Sequence, residues 1–323
     1  MITECNNDIA AATRLLTAGQ VVAIPTETVY GLAANAYDTD AVLRVFSTKQ
    51  RPLFNPLIVH TDSLEKAFEL TTDAGKEHLE KAMHFWPGPL TVLVPKSEKV
   101  HDLVTAGSPL VAIRIPDHPM CLQLLSGLPF PLAAPSANRF GAISPTTADH
   151  VLAQLGGTIP MVLDGGPCQV GLESTIIKPS EDAVQVLRKG AITASMLEQH
   201  FNKPVNFQQH NSNEATNPEA PGMLKSHYAP DTPLFFGDLK QLLLAHRDTP
   251  LGVLGMQLQD LPPAVVHAID ISPTGDLKEA ARNLFSALRA LDQSDAQVIL
   301  ADSFPDYDLG MAINDRLQRA AMR

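Results

Sequence analysis

The segment KQRPLFNPLIVH, residues 49–60, decides how the fold is read. Its first half sets two cations, Lys49 and Arg51, beside the amide of Asn55, with Pro52 and Pro56 between and after them. Proline fixes φ and pushes the residue before it toward extended geometry, so these polar tips sit on a stiff loop. Its second half runs through Leu57, Ile58 and Val59 to His60, a short apolar run that reads as a buried strand. Residues 40–48 upstream read as a helix, so the pattern is helix, rigid basic loop, strand. A loop carrying Lys and Arg suits phosphate or carboxylate recognition, Arg as a two-pronged donor and Lys as a point charge. Taken alone, the segment reads equally well as a solvated basic turn.

Upstream, residues 8–19 form a helical pattern with Asp8 as its cap and Gly19 as its stop. Residues 21–24 (VVAI) read as a buried strand, followed by PTETVYGL at 25–32. Thr26, Glu27 and Thr28 stand where strand yields to loop, the usual place for binding groups in an α/β sheet. Glu27 is the only carboxylate in that motif; it can orient an amine or a metal, or serve structure alone. Downstream, residues 63–70 and 73–85 read as helices, the second stopped by Trp86-Pro87-Gly88-Pro89. Strands follow at 90–95 and 110–116. Arg114 interrupts the second apolar run, and a cation there is costly unless paired or bound to a ligand; both readings stay open.

A strand end at 132–135 leads into SANRFGAISPTT, which carries Ser136, Asn138, Arg139 and Ser144 before a helix capped near Thr146 or Thr147. Residues 161–176 read as strand, glycine turn and strand, with Ser174 and Thr175 opening the latter. Residues 184–190 form a strand ending at Arg188 and Lys189, and a helix at 193–200 closes the unit.

The composition bounds the function. The chain has 323 residues, a length that suits two domains, with 45% hydrophobic and 18% charged residues. A net charge of −11 disfavours a broad phosphate-neutralising surface for nucleic acid, while leaving room for a local basic pocket. Cys5, Cys121 and Cys168 make no CxxC pair, which argues against a zinc site and fits a reducing, cytoplasmic setting. No segment reads as a signal peptide or a membrane span.

Composition shifts at 202–220, which is rich in Asn, Gln and Pro and reads as a linker. The far end, APGMLKSHYAP, adds Lys225, Ser226, His227 and Tyr228, chemistry that a plain linker does not need. It reads as a lid over the first domain. Residues 232–323 alternate short apolar strands with helices, the pattern of a small parallel-sheet α/β domain. The organisation is therefore a domain at 1–201, a linker at 202–231 and a domain at 232–323.

Taken together, PTETVYGL, KQRPLFNPL, APSAN with ISPT, DGG with GLESTI, LRKGAI and PGMLKSHYAP resemble, in order, the two-domain threonylcarbamoyl-AMP synthases. The resemblance implies a YrdC-like twisted open α/β sheet with a large cavity, then a smaller Rossmann-like domain. It implies that L-threonine, bicarbonate or CO₂ and ATP, the last with Mg²⁺, give threonylcarbamoyl-AMP and pyrophosphate. The product then serves threonylcarbamoyladenosine formation on ANN-decoding tRNAs, completed by downstream transferase proteins, with any direct tRNA contact weak or indirect. By the same resemblance Thr28, His60, Arg114 and Ser174 contact threonine. Lys49, Arg51, Asn55, Leu110, Ala134, Ser136, Ser144, Arg188 and Tyr228 contact ATP, Leu110 and Ala134 through their backbones. No protein nucleophile is named, and the metal ligands and the identity of the metal are left open. Two other classes compete: an RNA-binding module, and a carbamoyl-transfer enzyme that uses a similar domain but carries zinc-finger segments for which three scattered cysteines leave no room.

Overall fold

A computed structural model describes residues 2–208, 219–222 and 226–322. It divides into two compact units: residues 1–140, 145–168 and 173–224 form the first, and residues 141–144, 169–172 and 225–323 the second.

The first unit is built on an eleven-stranded mixed sheet. Its strands run in the order Glu4–Asn6, Met161–Leu163, Val22–Ile24, Gly31–Asn35, Leu132–Ala133, Ile58–His60, Leu110–Arg114, Leu90–Pro95, Thr175–Pro179, Val184–Arg188, Val205–Phe207. Residues 21–24 show why a continuous apolar run was needed. Side chains alternate across a strand, so Val22 and Ile24 pack with Leu16 and Leu125 on one face, while Val21 and Ala23 pack with Val45 and Val151 on the other. A strand covered on both faces must be apolar at every position.

The helices follow their sequence signals. Asp8 caps Ile9–Thr17 by accepting from Ala11 N, and Thr147 caps Ala148–Leu155 by accepting from His150 N. The helix Thr39–Lys49 ends on Gln50, which takes a left-handed φ of 53°. The backbone N–H of Arg51 then returns to Phe46 O at 2.9 Å. Lys49 thereby occupies the last helical turn, where a cation suits the helix dipole.

Several elements were not foreseen. Glu4–Asn6 and Gly31–Asn35 are strands, and Asp102–Thr105 and Pro119–Ser126 are helices. The expected linker beginning at 202 instead starts with the edge strand Val205–Phe207, parallel to Val184–Arg188. Residues 209–218 of that linker and Lys225 of the lid motif lie outside the described residues.

The second unit has a four-stranded, all-parallel sheet, in the order Leu234–Gly237, Val298–Asp302, Leu251–Gly255, Val265–Asp270. The helix Leu277–Asp292 buries Ala280, Leu284, Leu288 and Leu291, an i, i+4, i+8, i+11 stripe. This is the small parallel domain that the alternation of strands and helices predicts.

Candidate active site

Of the predicted site residues of the first unit, His60, Arg114 and Ser174 stand at strand ends. Ile58–His60 and Leu110–Arg114 are parallel neighbours, and their register places His60 directly beside Arg114. Both side chains are buried. Burial first, and then the Arg114 charge, pushes the His60 pKa down to about 3, so its imidazole is neutral at physiological pH. Its Nδ1 has no hydrogen-bond partner among the described residues. Arg114 donates from Nε to Gly88 O at 3.3 Å, and its Nη2 lies 2.6 Å from Glu27 Oε1. Thr28, next in sequence to Glu27, is fully buried with its hydroxyl 2.9 Å from that of Thr26.

Ser174 stands one residue before Thr175–Pro179, whose parallel neighbour is Leu90–Pro95. Its hydroxyl meets that of Thr91 at 2.7 Å and accepts from Arg188 Nη2 at 3.0 Å. Arg188 also donates to Ser174 O at 3.0 Å and Pro221 O at 3.3 Å. The backbone of Gly190 runs against the same corner: a Cβ there would lie 2.5 Å from Thr175 N and 2.6 Å from Glu173 O. Thr91 and Gly190 were missed in the sequence, although Thr91 is the one polar position inside the run LTVLVP.

A second cluster surrounds the basic loop. The Lys49 ammonium, buried, donates to the carbonyls of Ser136 and Asn138. Burial and the neighbouring Arg51 hold its pKa well below the usual lysine value. Arg51 donates to Asn55 O at 3.2 Å and Pro56 O at 2.8 Å, so it braces the loop that carries it. Asn55 is fully buried, and neither atom of its side-chain amide has a partner among the described residues. Buried polar atoms are nearly always satisfied, which makes the Asn55 amide a candidate ligand contact. Ser136 pairs by an isolated bridge with Gly31. The backbone N–H groups of Leu110 and Ala134 are already engaged, by Ser108 Oγ at 3.1 Å and Ile58 O at 3.0 Å.

Ser144 and Tyr228 group with the second unit. Ser144 is buried. Tyr228 is buried with φ of 65°, its ring stacked at 5.5 Å on Phe285 and 5.6 Å from the Arg316 guanidinium. A bulky residue at positive φ is a local strain that the surrounding packing must hold.

No group of three His, Cys, Asp or Glu side chains among the described residues could hold a metal ion.

Two family models divide the chain: residues 14–190 match the model described as "Telomere recombination", and residues 192–322 match "Threonylcarbamoyl-AMP synthase, C-terminal domain". The threonylcarbamoyl-AMP synthase of Bacillus subtilis is 39% identical over 97% of this chain and 92% of its own length. That of Pyrococcus abyssi is 37% identical over 97% and 94%. A crystal structure of P. abyssi Sua5 complexed with L-threonine superposes with a TM-score of 0.91 at 35% identity, covering 99% of this chain and 97% of the other. The class defined by this fold and these motifs is the two-domain enzyme of nucleotidyltransferase type. This chain belongs to the threonylcarbamoyl-AMP synthase family.

Proposed function

We propose that this chain condenses L-threonine, bicarbonate and ATP to threonylcarbamoyl-AMP and pyrophosphate, using the two clusters as the two halves of one site. The observation that carries the reading is the register that sets Arg114 beside a neutral His60 at the ends of parallel strands. A guanidinium is a two-pronged carboxylate receptor, and an uncharged imidazole beside it can read a hydroxyl without competing for the carboxylate. Thr28 and Ser174 add small polar groups for the threonine side chain. Lys49, Arg51 and Arg188 bring positive charge for the phosphates, and the unpartnered amide of Asn55 is available to the nucleotide.

The chemical step is attack of a carbamate oxygen on the α-phosphorus, with pyrophosphate leaving. Little covalent work falls to the protein: positioning and fixed charge carry the rate, as in phosphoryl transfer generally. Magnesium travels with ATP, where it neutralises phosphate oxygens. The product is a reactive mixed anhydride, and its consumer is a transferase that places the threonylcarbamoyl group on tRNA adenosine. Contact between this chain and tRNA is weak or indirect, in keeping with the net charge of −11. No helix among the described residues is long and apolar enough to cross a membrane.

The test is pyrophosphate release from purified protein with ATP, Mg²⁺ and bicarbonate, with and without L-threonine. Release that requires both threonine and bicarbonate is expected. Release that ignores threonine overturns the assignment.

A further inference from the structure

We propose that the Glu27 carboxylate receives the ammonium group of the amino acid, so that Glu27 and Arg114 together select a zwitterion. This deepens the threonylcarbamoyl-AMP reading and rests on it.

Glu27 and Arg114 are buried to 5% and 4% exposure and touch at 2.6 Å. The contact is not aligned as a hydrogen bond. Neither Glu27 oxygen accepts a hydrogen bond among the described residues, and Arg114 Nη2 donates none. A buried ion pair kept for structure needs good alignment and further hydrogen bonds to offset the desolvation of two charges. This pair has neither among the described residues, and buried carboxylate oxygens that accept from no donor are costly. A ligand that brings N–H donors and positive charge removes that cost.

The thiols of Cys121 and Cys168 face Glu27 electrostatically, and burial pushes both up to about 12, so both are neutral. The imidazole of His60, beside Arg114, is neutral as well. Arg114 is the cation that faces Glu27. When a substrate carboxylate engages Arg114, Glu27 loses its counter-charge, and the same molecule carries the replacement on the adjacent carbon. One poorly aligned pair becomes two: guanidinium with substrate carboxylate, and Glu27 with substrate ammonium. Net charge in the site is unchanged, because the incoming zwitterion is neutral overall. A neutral amino acid is thereby preferred over a carboxylic acid that lacks the amine, which would leave Glu27 uncompensated.

Calorimetric titration of the full chain measures this with two ligands, L-threonine and (R)-3-hydroxybutyrate, which lacks only the amine. The wild type is expected to prefer threonine by roughly tenfold or more, the scale of a hydrogen bond between charged groups. In Glu27→Gln that preference falls to near unity, because threonine weakens far more than the deamino ligand. Loss of affinity for both ligands in equal proportion would show that Glu27 acts only by holding Arg114, and would overturn the proposal. If Glu27→Gln does not fold, the wild type still decides: equal affinity for the two ligands rules out an ammonium receptor. Glu27→Asp, which keeps the charge but shortens the reach, is expected to weaken threonine alone. Threonine-dependent pyrophosphate release with binding indifferent to the amine removes only the role of Glu27. Absence of threonine-dependent release removes the reaction itself.

Discussion

Both units bury cations, and one set in each is held differently. In the first, Lys49 donates to the carbonyls of Ser136 and Asn138, Arg51 to those of Asn55 and Pro56, and Arg188 to those of Ser174 and Pro221. In the second, Arg316 and Arg319 share the carboxylate of Asp315 at 3.1 and 3.0 Å, all three on the helix Asp308–Ala321. A carbonyl orients a cation without cancelling its charge, whereas a carboxylate does both. The carbonyl arrangement orients its cations, and the carboxylate arrangement ties a helix together; each unit also holds one cation the other way, Arg114 against Glu27 in the first and Arg289, which donates to Ile143 O at 3.0 Å, in the second.

Four substitutions test that contrast. Arg51→Ala is expected to lower threonine-dependent pyrophosphate release at least about a hundredfold, the scale of removing one preorganised charge from a reacting centre. Because Arg51 also braces its own loop, it should lower thermal stability too; unchanged turnover would mean the cation is structural only. The next effect is on stability in acid. With a folded pKa of about 3, His60 contributes stability that is present above its unfolded value of 6.5 and lost as pH falls from there toward 3. Between pH 6.5 and 4.5 the wild type should lose about 2–3 kcal/mol that His60→Gln retains, read from urea midpoints at each pH. Parallel pH profiles for the two proteins would place the acid sensitivity elsewhere.

Gly190→Ala is expected to cost about 2 kcal/mol, since the new methyl meets backbone atoms that cannot swing aside. It should also raise KM for threonine through displacement of Ser174, an effect that a purely global destabilisation would not produce at temperatures well below Tm. Smallest is Asp315→Asn in the second unit. It should cost about 1–2 kcal/mol of stability, less than a fully buried pair because Asp315 retains some exposure. Pyrophosphate release per folded molecule should stay near wild type. A collapse of turnover there would erase the contrast between the two kinds of buried cation.

Much of this molecule is legible in its sequence, for identifiable reasons. Asp8 and Thr147 announce helix starts because their side chains complete a local hydrogen bond, and 21–24 and 90–95 announce strands because both faces are covered. Gly31–Asn35 (GLAAN) gives no such signal. Glycine and alanine have little intrinsic strand preference, and this strand exists because Val22–Ile24 and Leu132–Ala133 pair with it on either side. Val205–Phe207 hid in a polar stretch because an edge strand with exposed side chains needs no apolar pattern. At the site, residue types such as Lys49, Arg51 and Arg114 stood out through their motifs. Their pairings did not: Glu27, itself singled out in its motif, meets Arg114 across 87 positions, and Thr91 meets Ser174 across 83, as the tertiary fold alone arranges.

The lysine between two carbonyls has a consequence for speed. In water, a charge that changes during reaction must wait for solvent dipoles to turn. The Ser136 and Asn138 carbonyls act as a frozen solvation shell around the Lys49 ammonium, set in place when the protein folds. On the proposed reading, the ammonium those carbonyls fix is already in place when negative charge shifts from the α-phosphate toward pyrophosphate, so its positioning is met during folding and not on each turnover.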